Sequence, residues 1–112
     1  MNITEERHGA AVIMKLHGRL DSSTAGALEE KLLALLNSGI TQFVLNFSGL
    51  DYISSAGLRV VLMVAKKLKP SGGRLALCEL KDHIREVFDL AGFSPLFPMY
   101  DSQEAALKSL PA

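Results

Sequence analysis

The sequence predicts an α/β fold, a small mixed sheet of about four to five strands with about four helices, in which parallel strands are joined by helical crossovers and an antiparallel strand lies near the N-terminus. Two observations predict it. Short apolar runs suited to strands alternate along the chain with apolar stripes at helical spacing, and glycine, proline and serine stand at the junctions between them. The 112 residues fit one domain spanning 1–112, large enough to bury a core without metal or disulfide.

After a short polar start, Ala11 to Leu16 reads as a strand that Gly18 breaks. From Thr24 to about Asn37, Leu28, Leu32, Leu35 and Leu36 form a helical stripe. Asp21, Ser22, Ser23 and Thr24 are candidate N-caps for that helix, and Gly39 stops it. Phe43 to Phe47 is nearly continuous in apolar residues, as a central strand covered on both faces requires, and a turn at Gly49 is expected after it. The second helix carries Leu58, Val61, Leu62, Ala65 and Leu68, and ends at Pro70 and Gly72-Gly73. Arg74 to Cys78 is the next strand. Ile84, Val87, Phe88 and Ala91 make a third helical stripe that stops at Gly92. Pro95 and Pro98 limit Leu96 to Tyr100 to an edge strand at best, and a last helix from Ser102 to Leu110 has Ser102 as its cap.

Composition excludes several classes of function. Twelve basic residues balance twelve acidic ones, so no overall field draws the chain to nucleic acid. The cluster Lys66, Lys67, Lys69 closes a predicted helix, where cations complement the backbone dipole. Cys78 is the only cysteine and follows an apolar run, so a small buried hydrophobe is expected. The N-terminus has no signal-peptide pattern and no apolar run approaches the roughly 18 residues of a spanning helix, so a cytoplasmic location without membrane insertion is expected. His8, His17 and His83 are scattered, so neither a metal nor another cofactor is expected.

The segment Leu50 to Arg59 stands out because Ser54 and Ser55 fall between a buried strand and an amphipathic helix. A serine hydroxyl there caps the helix by accepting from its first free amides, and Ser55 is expected to do so. A helix N-terminus also tolerates a phosphate, so capping and phosphorylation are compatible. Ser55 as a nucleophile would need an activating base, and no histidine or lysine lies beside it in sequence.

Gly18-Arg19-Leu20-Asp21, Phe43-Val44-Leu45-Asn46-Phe47-Ser48, Ile53-Ser54-Ser55-Ala56-Gly57-Leu58, and Leu90-Ala91-Gly92-Phe93 with Leu96-Phe97-Pro98 together resemble the STAS domain of anti-sigma factor antagonists. The resemblance runs over nearly the whole chain. It implies a protein that binds an anti-sigma factor, itself a serine kinase, and so frees a sigma factor. Phosphorylation of one serine releases the partner, and a serine phosphatase restores binding.

By position the phosphorylated serine falls on Ser55, with Ser54 as the alternative because many members carry aspartate there. The resemblance places partner contact on Asp21, Ser22, Ser54, Ser55 and Gly57, and it leaves the oligomeric state open. Two rival readings follow from the same residues. One is a STAS module regulating a signalling scaffold or a transporter, because a fold does not fix a partner. The other is a small enzyme using Ser55.

Overall fold

The computed structural model describes residues 1–111. The elements in chain order are β1 (Asn2–His8), β2 (Ala11–Leu20), α1 (Ala25–Asn37), β3 (Gln42–Ile53), α2 (Ser55–Leu68), β4 (Arg74–Cys78), α3 (Asp82–Leu90), β5 (Met99–Tyr100) and α4 (Gln103–Lys108). Short 3₁₀ turns at Lys69–Ser71 and Ser94–Leu96 follow α2 and α3. The five strands form one sheet in the order β1-β2-β3-β4-β5; β1 is antiparallel to β2, and every other pair is parallel. The predicted α/β class, with its mixed sheet and four helices, is the observed one.

Alternation along the strands builds two cores. Val12, Met14, Phe43, Leu45, Phe47, Leu75 and Leu77 point to one face, where Leu28 and Leu32 of α1, Val61 and Val64 of α2, and Ile84 and Phe88 of α3 cover them. Ile13, Val44, Ala76 and Cys78 point to the other face, where Ala106 of α4 seals them. The run Phe43 to Phe47 is buried throughout because it is the middle strand of a sheet covered on both faces. Edge-to-face contacts of Phe88 with Phe47 and Phe97, at 5.9 and 6.0 Å between centroids, anchor α3.

Three local expectations are corrected. The polar start is a full strand, β1, whose exposed charged residues suit a sheet edge rather than a coil. Gly18 does not end β2; at φ +98° it sits in a bulge, with a register shift between Gly18 and Arg19, and the strand runs on to Leu20. Gly49 is not a turn. It lies within β3 opposite His17, and a Cβ there would collide with the His17 ring, so the glycine serves a close approach of strands.

The helical stripes hold with adjustments. α1 ends as expected, the Gly39 and Ile40 amides donating to the Leu36 and Leu35 carbonyls. In α2 the fully buried residues include Val60 and Val64, while Leu62 and Ala65 are half-buried. Ala91 is exposed just beyond α3, and Ser102 caps α4 by accepting from the Ala105 amide at 3.1 Å.

One polar network, centred on the buried Asn46, ties α4 to the sheet. The Asn46 side-chain amide donates to Glu79 at 3.1 Å and to Gln103 at 2.8 Å, and its oxygen accepts from the Ser48 amide at 2.9 Å. The same Glu79 oxygen accepts from the Gln103 amide at 3.0 Å. Glu79 holds φ +56°, a conformation that costs a residue with a Cβ roughly 1–3 kcal/mol and persists where the surroundings fix it.

Candidate functional site

The last paired residues of β2 and β3 are Leu20 and Ile53, and the ladder is extended by the Ser54 amide, which donates to the Leu20 carbonyl at 2.9 Å. Because the two strands are parallel, the loop into α1 and the loop into α2 leave the sheet side by side. This is the carboxyl end of the sheet, where open α/β folds place their binding loops.

Residues Asp21 to Thr24 form a closed turn on that edge. One Asp21 carboxylate oxygen accepts from the Ser23 amide at 3.0 Å and from the Ser23 hydroxyl at 2.7 Å. The Asp21 amide in turn donates to the Thr24 hydroxyl at 2.9 Å, and that hydroxyl donates to the Arg19 carbonyl at 2.8 Å. Bonds from Ser23 hold the Asp21 carboxyl below its ordinary pKa, with Thr24 and the nearby Arg19 guanidinium adding to the effect. Of the four candidate caps, Thr24 holds the N-cap position of α1 without a side-chain cap bond, and Asp21 acts one step earlier by shaping the turn. Ser22 is exposed on the same turn.

The two serines have separate parts. Ser54, in extended conformation at φ −101° and ψ 175°, is the N-cap of α2 and accepts from the Gly57 amide at 3.4 Å. This corrects the expectation that Ser55 caps the helix. Ser55 is instead the first helical residue and is exposed. Among the described residues no histidine, lysine or other side chain hydrogen-bonds its hydroxyl.

Gly57, expected on the partner surface, is buried. A Cβ at this position would lie 2.7 Å from Leu20 Cγ and 2.9 Å from Ile53 Cγ1, so its glycine lets α2 seat against the ends of β2 and β3. Its contribution is to place Ser55, and it offers no surface of its own.

Residues that sequence reasoning passed over complete the edge. The Arg19 guanidinium stacks over the Tyr52 ring at 4.2 Å, and Tyr52 is 41% exposed. Lys81 Nζ meets Asp51 at 2.6 Å, and the His83 ring nitrogen Nε2 lies 2.7 Å from the Asp51 carbonyl oxygen. Lys81 holds the Asp51 carboxyl below its ordinary pKa, through their hydrogen bond first and its charge second. Leu50 and Ile53 are buried while Asp51 and Tyr52 between them are both exposed, which breaks the period-two pattern of a strand and, with Gly49, hides the continuation of β3 in the sequence. Among the described residues no group of three or more histidines, cysteines, aspartates or glutamates is placed to hold a metal ion, and no helix is long and apolar enough to cross a membrane.

Known proteins carry the same pattern. The STAS domain family matches residues 2–106. The Bordetella bronchiseptica protein BtrV, a candidate anti-sigma factor antagonist, is 48% identical over 106 residues, which cover 95% of this chain and 91% of that protein. Among solved structures, a candidate anti-sigma factor antagonist from Thermotoga maritima superposes with a TM-score of 0.91 at 22% identity, covering 96% of this chain and 92% of that one. The Bacillus cell fate determinant SpoIIAA in its phosphorylated form superposes with a TM-score of 0.77 at 24% identity, covering 97% of this chain and all of that one. At these identities the two structures speak to the fold.

Proposed function

The chain belongs to the STAS domain family, and from that premise we propose that it is a cytoplasmic anti-sigma factor antagonist, switched by phosphorylation of Ser55 and without catalysis of its own. The names of its relatives support the antagonist reading. The observation that carries the switch is the division of labour between the serines. Ser54 spends its hydroxyl on the cap, while Ser55 presents a free one to solvent beside the Asp21 turn.

The partner is an anti-sigma factor that is also a serine kinase. It docks on the edge formed by Asp21, Ser22, Ser54 and Ser55, and the sigma factor it held is released. The kinase then passes the γ-phosphoryl group of ATP to the Ser55 oxygen, the hydroxyl proton leaving and ADP remaining. The first free amides of α2 and its positive end accommodate the phosphate, so the antagonist stays folded. The interface does not. A group of about −1.5 to −2 charge must be desolvated there, next to the ionised Asp21 carboxylate. A serine phosphatase removes the phosphate by hydrolysis and restores binding.

Phosphopeptide mapping of the protein recovered from its own cells tests this reading. Modification confined to the peptide containing Ser54 and Ser55, and lost in Ser55→Ala but kept in Ser54→Ala, is the expected result. Recovery with a transporter or scaffold complex, and no phosphorylation under any growth condition, would replace it with the module reading.

A further inference from the structure

A second surface lies at the other end of α2. There the end of α2, the 3₁₀ turns after α2 and α3, and the start of β4 surround an open groove of about 460 Å³. Its floor is apolar, with Leu68, Leu75 and Phe97 among the lining residues, and Leu96 stands on its wall with 57% of its surface exposed. The charged residues lining it are Lys66, Lys69 and Arg74, all cations, and none of the three forms an ion pair among the described residues.

Helix electrostatics accounts for only part of this. Cations at the C-terminal end of α2 complement its dipole, which explains Lys66 and the C-cap residue Lys69. Arg74 belongs to the strand β4, so its convergence with these two lysines on one groove is a property of the fold. The chain as a whole is neutral, which makes three unneutralised cations around an exposed leucine a local excess. The groove is open rather than enclosed, a shape suited to a length of polypeptide.

The geometry points to a docking site for a short acidic segment of a partner protein, its aliphatic side chain laid on Leu75 and Phe97 and its carboxylates paired with Lys66, Lys69 and Arg74. The inference is independent of the Ser55 switch. Ser55 opens α2 and Lys69 follows its last residue, so at 1.5 Å per residue the two sites are about 20 Å apart. A partner bound here can remain attached while the other end of α2 is phosphorylated or released.

The test uses the full chain and an acetylated peptide with two central leucines flanked by glutamates, followed by heteronuclear NMR. The amide signals of Lys66, Lys69, Arg74 and Leu96 should move with saturation, while those of Ser22 and Ser55 stay in place. Lys66→Glu combined with Arg74→Glu should weaken binding at least tenfold, Leu96→Ser should weaken it as well, and added salt should reduce it in the parent. Equal binding by a lysine-flanked peptide, shifts scattered over the surface, or unchanged affinity in the charge-reversed variant would overturn the proposal. So would dodecanoate filling the groove where the peptide does not, or signals there that broaden with protein concentration alone, marking a lipid-like ligand or a second copy instead.

Discussion

The Ser54 amide donates to the Leu20 carbonyl at 2.9 Å, which joins the residue that caps α2 to the last residue of β2. The turn carrying Asp21 and the helix start carrying Ser55 are therefore fixed to each other through the backbone, independently of any side chain.

Ser54→Ala should lose only the cap. The bond to the Gly57 amide is long, at 3.4 Å, so the loss should fall in the lower part of the usual range of about 0.5–2 kcal/mol. The variant should still accept phosphate at Ser55. Chemical denaturation and kinase labelling check the two halves, and loss of labelling with stability intact would move the acceptor to Ser54.

Ser55→Asp and Ser55→Glu should fold like the parent and bind the anti-sigma kinase poorly, while Ser55→Ala should bind and resist release. A penalty of about 3 kcal/mol weakens binding more than a hundredfold. Calorimetric titration with the purified kinase measures it. Full affinity in both acidic variants would count against charge at this position as the switch.

Asp21→Asn should weaken partner binding with little loss of stability, because the amide oxygen still accepts from Ser23. The parent carboxyl should titrate below the ordinary value of 3.8. Since its folded pKa is depressed, the turn's contribution is present above pH 3.8 and fades as pH falls through the folded value. Carbon-detected NMR titration follows the carboxyl directly, and an unshifted midpoint would contradict the turn described above.

Gly57→Ala should destabilise the protein although alanine is the better helix former by about 1 kcal/mol. The added methyl meets Leu20 Cγ and Ile53 Cγ1, inner atoms of two buried side chains, and such overpacking costs about 1–3 kcal/mol. A rise in the denaturation midpoint would show that the neighbours yield freely.

Asn46→Ala should cost about 0.5–1.5 kcal/mol, because the buried Asn46 gives up its hydrogen bonds while half-buried Glu79 and exposed Ser48 can turn to water. Hydrogen exchange should reveal loosening of α4 in particular, since Gln103 is held through the same network. Uniform loosening of all helices would mean that the network stabilises the sheet and does not hold α4.

Much of the fold is written in apolar periodicity. The Phe43 to Phe47 run and the leucines of α1 need only their own spacing to be read. β1 is hidden in the sequence because this edge strand is exposed on both faces except at Ile3 and carries Glu5, Glu6 and Arg7, which read as coil. Gly49 looked like a turn because sequence cannot distinguish a glycine that bends the chain from one that admits a neighbouring ring. In the site, Ser54 and Ser55 were visible from their place before an amphipathic helix, but their division of labour needed the cap geometry. Arg19 with Tyr52 and Asp51 with Lys81 come from distant parts of the chain, and only strand register brings each pair together.

The spatial order of the strands repeats their order in the chain, with bearing on how the protein folds. No strand inserts between two that formed earlier, so each pairing closes only the loop that precedes it, and closure entropy is kept small for a mostly parallel sheet. Assembly can proceed by zipping outward from β2, α1 and β3, adding β4 and then β5 at a growing edge. The three helices of the first core arrive with those steps. The second core is closed only by α4, the last element of the chain, so Ile13, Val44, Ala76 and Cys78 depend for their cover on a helix that docks after the sheet is in place.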